Sequence, residues 1–299
     1  METRTLGQTG HESSILTFGA YLLDYLEQSD ANQTVELALD HGVNHFDVAP
    51  DYGDAELKLG PKLREHREEI FLGCKTVERT YEGAKHKLER SLDRLGVDTI
   101  DLYQFHGLES EAELDTITGE TDDPGALKAF REAQEEGKID HIGLTCHAHP
   151  HLVLDTIDRI PDLESVMFPL NFTVLGKAEE DARYDYGKVL ERAAEEDLGT
   201  IGLKAFAKGS WPADLPYDQR HYGTWYEPYD TQEAMNDCAN YALSQEVTTI
   251  TNPGDPKLFK MALDAAENYT ELDAEEQADL EARGRENDSP VPAQLGMTD

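Results

Sequence analysis

Four side chains in this sequence have the types that proton transfer to a developing alkoxide requires: Asp47, Tyr52, Lys75 and His106. A carbonyl that receives a hydride builds negative charge on oxygen, and that charge must be protonated or stabilised as it forms. A phenol, with an unperturbed pKa near 10, is a weak acid for this task. A lysine cation within about 4–6 Å favours the phenolate and so strengthens the acid. Asp47 can pair with Lys75 and hold its ammonium charged inside a partly dry site. His106 can donate to the carbonyl oxygen and fix its angle, or relay the proton.

Each residue alone has an ordinary reading: Lys75 as a surface lysine, Asp47 as a helix cap, Tyr52 as a wall residue, His106 as a satisfied core histidine. Their placement argues for a common site. Asp47 is near the end of the run Asn44–Val48, Tyr52 follows in the next loop, Lys75 closes Ile70–Lys75, and His106 closes Ile100–His106. Successive parallel strands are neighbours, so three successive strand ends can bring all four together.

Short apolar runs with partial alternation predict eight strands. They are Ile15–Ala20, Asn44–Val48, Ile70–Lys75, Ile100–His106, His141–Thr145, Ser165–Pro169, Thr200–Ala205 and Val247–Thr251. Amphipathic stretches lie between them. Thr80 is a candidate cap for a helix with Ala84, Leu88, Leu92 and Leu95 on one face, stopped at Gly96. Pro124 is placed in the first turn of a helix carrying Leu127, Phe130 and Ala133 and ending at Gly137. Further helices are expected over Ala31–Asp40, Leu152–Arg159, Glu180–Glu196, Thr231–Ala242 and Pro256–Asn268. Eight strand–helix repeats without an intervening hairpin signal point to an α/β fold, a closed (β/α)8 TIM barrel in one domain spanning residues 1–299. A doubly wound open sheet is the competing arrangement, but Phe18-Gly19-Ala20-Tyr21 offers no Gly-rich phosphate loop after the first strand. Residues 1–14 read as a short β-hairpin that closes the bottom of the barrel.

The charge balance constrains partners. With 62 Asp and Glu against 26 Lys and Arg, the formal net charge is −36, spread along the chain in pairs such as Glu68-Glu69 and Glu275-Glu276. Such a surface repels nucleic acid and anionic membranes. Self-repulsion of this size is expected to need concentrated salt, which shortens the Debye length to about 3 Å at 1 M, and the composition reads as halophilic. Cys74, Cys146 and Cys238 are too few and scattered for a disulfide framework. No signal-like apolar stretch follows Met1, and a cytoplasmic setting is expected.

On these residues the chain resembles the aldo-keto reductase superfamily over nearly its whole length. The opening Arg4-Thr5-Leu6-Gly7-Gln8-Thr9-Gly10, the segment Phe46–Glu56 and the segment Ser91–Tyr103 with His106 match that family's motifs, and Asp47, Tyr52, Lys75 and His106 stand at its tetrad positions. The resemblance implies reduction of a small-molecule aldehyde or ketone without a metal, using NADP or NAD laid across the strand ends. It implies cofactor contacts from Gly19, Thr145, Cys146, Asn171, Phe206, Lys208, Gly254 and Lys257. Phe206 would stack on the nicotinamide, and Gly254 would lie in the pyrophosphate loop.

The cofactor positions also depart from the family. Cys146 stands where Asn is usual, Met167 where Gln is usual and Asn252 where Lys is usual; Lys257 or Lys260 would replace an Arg that grips a 2′-phosphate. The resemblance therefore does not choose NADPH over NADH. It leaves open an alternative: a non-catalytic, nicotinamide-nucleotide-binding regulatory barrel. The substrate pocket is expected from residues 107–123 and the ring-rich loop 208–230, with 285–299 a short polar tail. His147, His149 and His151 raise a metal-dependent hydrolase as a third possibility, but no Cys or carboxylate lies at ligand spacing. Oligomeric state is not legible.

Overall fold

In the computed structural model, which describes residues 1–121 and 123–291, period-2 alternation decides what each strand offers to either side. An N-terminal pair, β1 (Thr3–Thr5) and β2 (Glu12–Ser14), is antiparallel. Eight parallel strands then close on themselves: β3 (Leu16–Gly19), β4 (His45–Asp47), β5 (Phe71–Thr76), β6 (Ile100–Leu108), β7 (Ile139–Cys146), β8 (Ser165–Pro169), β9 (Gly199–Leu203) and β12 (Thr249–Thr251), with β12 paired to both β9 and β3. The predicted barrel and its N-terminal hairpin are present, and every predicted strand corresponds to an observed one. A second antiparallel ribbon, β10 (Ala207–Gly209) with β11 (Glu227–Pro228), was not foreseen; it fastens the two ends of the long loop after β9.

Helices α1 (Gln28–Asp40), α2 (Ala55–Glu65), α3 (Tyr81–Leu95), α4 (Glu111–Thr118), α5 (Ala126–Glu135) and α6 (Pro150–Arg159) follow the first strands. After β8 come α7 (Phe172–Leu175), α8 (Gly187–Glu195), α9 (Gln232–Leu243), α10 (Pro256–Glu267) and α11 (Ala274–Arg285). Thr80 caps α3 by accepting from the Gly83 amide, and Gly96 ends it at φ +69°, as the pattern predicted. Pro124 lies before the N-cap Gly125, not inside α5. The single helix expected over 180–196 is instead a 3-10 turn (Ala182–Tyr184) followed by α8. Tyr186 interrupts it, since its hydroxyl donates to the Ala148 carbonyl at 2.5 Å and its ring stacks on Phe168.

The barrel interior has a small apolar core of Leu6, Phe71, Leu102, Met167, Ile201 and Leu203. Leu6 enters from the hairpin and plugs the lower end. A Cβ at Gly199 would lie 2.6 Å from the Leu6 side chain, so only glycine lets the plug seat. The larger core lies between strands and helices and holds Phe46, Leu72, Cys74, Tyr103, Phe105, Ile142 and Leu144, the alternate residues of the same strands.

The candidate active site at the strand ends

Strand register assembles the site. Asp47 pairs with Gly73, Lys75 with Gln104, and His106 with Thr145. Asp47, Lys75, Gln104 and Thr145 form a polar layer above the apolar plug, and all four are at least 97% buried. Lys75 Nζ donates to Asp47 Oδ2. Gln104 Nε2 donates to Asp47 Oδ1 at 3.0 Å, and Thr145 Oγ1 donates to Gln104 Oε1 at 3.1 Å. Both Asp47 oxygens are thus engaged, as a buried carboxylate requires.

Tyr52 arrives from the loop between β4 and α2. The Lys75 ammonium lies 5.6 Å from its ring centre. Burial pushes the phenol up to about 12, while the Lys75 charge pulls it back. The Lys75 charge thus pulls in the expected direction, but burial outweighs it and the phenol lies above its ordinary value. Burial also raises the Asp47 carboxyl against the pull of Lys75. For Lys75, burial works to lower the ammonium, but Asp47 and Tyr52 outweigh it and keep it charged.

The Tyr52 loop is clamped from α3. Arg94 Nε donates to the fully buried Glu56 at 2.7 Å, and its Nη2 donates to the Gly53 carbonyl at 2.9 Å. His106 stands edge-on to Tyr52 with ring centres 5.8 Å apart, and its Nδ1 is buried without a hydrogen-bond partner among the described residues. Burial, then Lys75, His147 and Arg79, push the imidazole well down, so the ring is neutral.

Above this layer opens a cavity. Its floor is Asp47, Tyr52, Lys75, Thr145 and Met167; its rim includes Gly19, Tyr21, Leu203, Lys204, Trp225, Asn252 and Gly254. Tyr21 packs against Tyr52 and Trp225, with ring centres 5.2 and 4.3 Å apart. A Cβ at Gly254 would lie 2.7 Å from the Tyr21 ring, so glycine keeps this edge of the rim close to the tyrosine.

Not every residue carried over by resemblance reaches the cavity. Gly19, Thr145 and Gly254 line it. Cys146 does not: one position beyond Thr145 on β7, it joins the helix-side core, where its thiol donates to the Leu108 carbonyl. Phe206 is fully buried in that same core. Asn171 caps α7 by accepting from the Val174 amide and donates to the Lys204 carbonyl at 2.9 Å. Lys208 is ion-paired to Glu227 across the β10–β11 ribbon at 2.7 Å. Lys257 sits outside the cavity, its ammonium on the His221 carbonyl.

The expected pocket loops also divide. Thr224, Trp225 and Tyr226 of the 208–230 loop line the cavity, whereas 107–123 folds largely into α4 and contributes no lining residue among those described. His147 reaches the cavity, while His149 is buried with Nδ1 on the Arg183 carbonyl, so the three loop histidines do not share one centre. The last eight residues of the 285–299 tail lie outside the described residues; the tail as far as Arg285 is the end of α11, and Ser289 and Pro290 lend carbonyls to Ser210 and Lys204. The sequence alone gives Gln104, Tyr21 and Lys204 no role. The inward parity of Gln104, two residues before His106 in an apolar strand, was an available signal.

A closed parallel barrel with a buried Lys–Asp pair beside a tyrosine beneath a strand-end cavity defines a barrel of enzyme-like architecture. The aldo/keto reductase family profile matches residues 15–240, and the chain belongs to that family. L-galactose dehydrogenase of Arabidopsis thaliana is 31% identical over 180 residues, which are 54% of this chain and 53% of that enzyme. The chain thus matches about half the length of that relative. An uncharacterized oxidoreductase of Bacillus subtilis, YqkF, is 27% identical over 233 residues, 73% of this chain and 69% of its own. Among solved structures, the aldo-keto reductase AKR11C1 of Bacillus halodurans superposes with a TM-score of 0.70 at 22% identity, covering 95% of this chain and 96% of that one. That likeness speaks to the fold. No helix among the described residues is long and apolar enough to cross a membrane.

Proposed function

We propose that this chain reduces an aldehyde or ketone to the alcohol with NADH or NADPH, reversibly, and that Tyr52 is its general acid and base. The observation that carries the reading is the buried Lys75–Asp47 pair beside Tyr52 on the floor of the cavity. The cavity suits a nicotinamide: Leu203, Met167 and the Tyr21 and Trp225 rings are flat or apolar, Thr145 is a hydroxyl at the floor, and Gly19 and Gly254 bring backbone close. Gly19, Thr145, Met167, Leu203 and Gly254 would hold it, and when bound the nicotinamide supplies or accepts the hydride.

The protein's own part is electrostatic and acid–base. Tyr52 O–H donates its proton to the carbonyl oxygen as negative charge grows there. The Lys75 ammonium stabilises the phenolate left behind, and Asp47 keeps that ammonium charged in a site where an unpaired cation would lose its proton. His106, neutral, can orient the oxygen by donating a hydrogen bond but carries no acidic proton of its own near neutrality. Trp225 and Tyr21 pack ring against ring and form one wall of the cavity. The sugar named for the Arabidopsis relative makes aldoses sensible members of a first panel.

The test is oxidation of NADH and NADPH in molar KCl against a panel of aldehydes and ketones, with the corresponding alcohols and NAD or NADP for the reverse direction. Turnover with at least one carbonyl class is expected. Retention of dinucleotide with no turnover in either direction would overturn the catalytic reading.

A further inference from the structure

Tyr52 is held from two sides of its loop. On the α3 side, Arg94 donates to the Gly53 carbonyl at 2.9 Å and Lys87 pairs with Asp51 at 3.4 Å. On the other side stands a 3-10 turn, Ala20–Tyr25, that continues from the end of β3. Two of its side chains meet the Tyr52 loop. Tyr21 packs edge-on against the Tyr52 ring, with centres 5.2 Å apart. Asp24 Oδ1 accepts the Asp54 amide at 2.9 Å, at the point where the loop passes into α2.

Asp24 comes close enough to dictate what the loop can contain. Gly53 is at φ +56°, and a Cβ there would lie 2.2 Å from Asp24 Oδ1. Glycine therefore lets the carboxylate reach past residue 53 to the amide of residue 54. The turn itself has a separate anchor: Lys58 Nζ of α2 donates to the Asp24 backbone carbonyl at 2.8 Å. That bond fixes the main chain and leaves the carboxylate for the loop. An amide held by a carboxylate is bound roughly twice as strongly as one held by a neutral acceptor.

We propose that Asp24 is a positioning residue for Tyr52: its carboxylate pins the Gly53–Asp54 backbone and so keeps the phenol in place between Tyr21 and the Lys75 ammonium. For its effect on rate the inference rests on Tyr52 as the proton donor; for its effect on the loop it does not. Proton transfer is steep in geometry, and a misplacement of about 1 Å costs on the order of 100-fold in rate. Dinucleotide and substrate affinity draw on the rest of the cavity and are far less sensitive to this one bond.

Asp24→Ala, Asp24→Asn and Lys58→Met are compared with wild type at one KCl concentration. Asparagine keeps an Oδ1 acceptor for the Asp54 amide, and Lys58→Met loosens the same turn without removing its bond to the Tyr52 loop. Asp24→Ala is expected to lower kcat about 10- to 100-fold, with KM and dinucleotide affinity within about twofold of wild type. Asp24→Asn restores most of kcat, and Lys58→Met keeps it. Amide hydrogen exchange over residues 50–56 is faster in Asp24→Ala and not in Asp24→Asn. On a Tyr52→Phe background Asp24→Ala lowers kcat no further, because the two residues act as one unit.

A folded Asp24→Ala protein with wild-type kcat overturns the inference. So does a loss that multiplies with that of Tyr52→Phe, or one that Lys58→Met reproduces. If no carbonyl is turned over, or Tyr52→Phe matches wild type, the reductase reading fails by itself. Exchange over residues 50–56 then still decides whether Asp24 holds the loop, and a wild-type exchange rate in Asp24→Ala overturns that as well.

Discussion

Replacing Lys75 with methionine isolates the electrostatics of the site. Lys75 is 1% exposed and Asp47 3% exposed, so the substitution leaves a carboxylate in the barrel with Gln104 as its remaining side-chain partner. Breaking a buried pair in this way costs about 3–5 kcal/mol. With an unfolding entropy near 2.1 cal/mol/K per residue, that lowers the melting temperature of a chain this long by roughly 5–8 °C. Asp47→Asn alone is costly for the mirror reason, a lysine left without its anion. The double variant Lys75→Met/Asp47→Asn removes both charges and recovers most of the stability, so the coupling between the two sites is several kcal/mol and favours the pair.

The sign with pH is also set. Without Lys75, the Asp47 carboxyl rises further above its unfolded value near 3.9. A raised carboxyl stabilises only where it is protonated, so the deficit of Lys75→Met is smallest near pH 4 and grows as pH rises. Urea unfolding of the four proteins at fixed KCl, at pH 4.5 and 7.5, measures all of this. Additive single-mutant costs, or a Lys75→Met protein as stable as wild type at pH 7.5, would refute the reasoning.

Three further outcomes follow from the same structure. His45 and His147 are held neutral, each pushed down to about 3 first by burial, and His106 is pushed down as well. Folded-state values below the unfolded 6.5 give stability that is full above pH 6.5 and lost as pH falls towards 3, so urea midpoints should drop steeply from pH 7 to 4; a flat profile would contradict this. Arg94→Met removes the partner of buried Glu56 and the hook on the Gly53 carbonyl; a loss of about 3–5 kcal/mol in unfolding free energy, with turnover falling more than cofactor affinity, is expected from denaturation and kinetics together. The net charge of −36 implies an unfolding midpoint that climbs with KCl towards molar concentration, and a midpoint independent of KCl would remove the halophilic reading.

The barrel was legible because its strands carry short apolar runs and its helices carry stops such as Gly96 and Gly137, at φ +69° and +70°. What sequence obscured had local causes. The α2 helix contains Gly60-Pro61, which reads as a breaker, yet Gly60 is there because a Cβ would lie 2.9 Å from the Leu95 carbonyl. The α11 helix is mostly exposed and polar, so it leaves little apolar stripe to detect. In the site, Asp47, Tyr52, Lys75 and His106 converge as their strand ends implied. Cys146 and Phe206 do not reach the cavity, because counting along a motif ignores which face of strand or turn a side chain occupies. The bond from Asn171 to the Lys204 carbonyl joins two loops 33 residues apart and has no signature in either.

The central claim is that Tyr52 supplies the proton to a carbonyl oxygen reduced in this cavity. Tyr52→Phe keeps the ring on Tyr21 and His106 and deletes only the hydroxyl, so dinucleotide affinity, measured by tryptophan fluorescence, serves as an internal control. The account predicts unchanged affinity with carbonyl reduction slowed at least about 100-fold; equal reduction rates in the two proteins would contradict it.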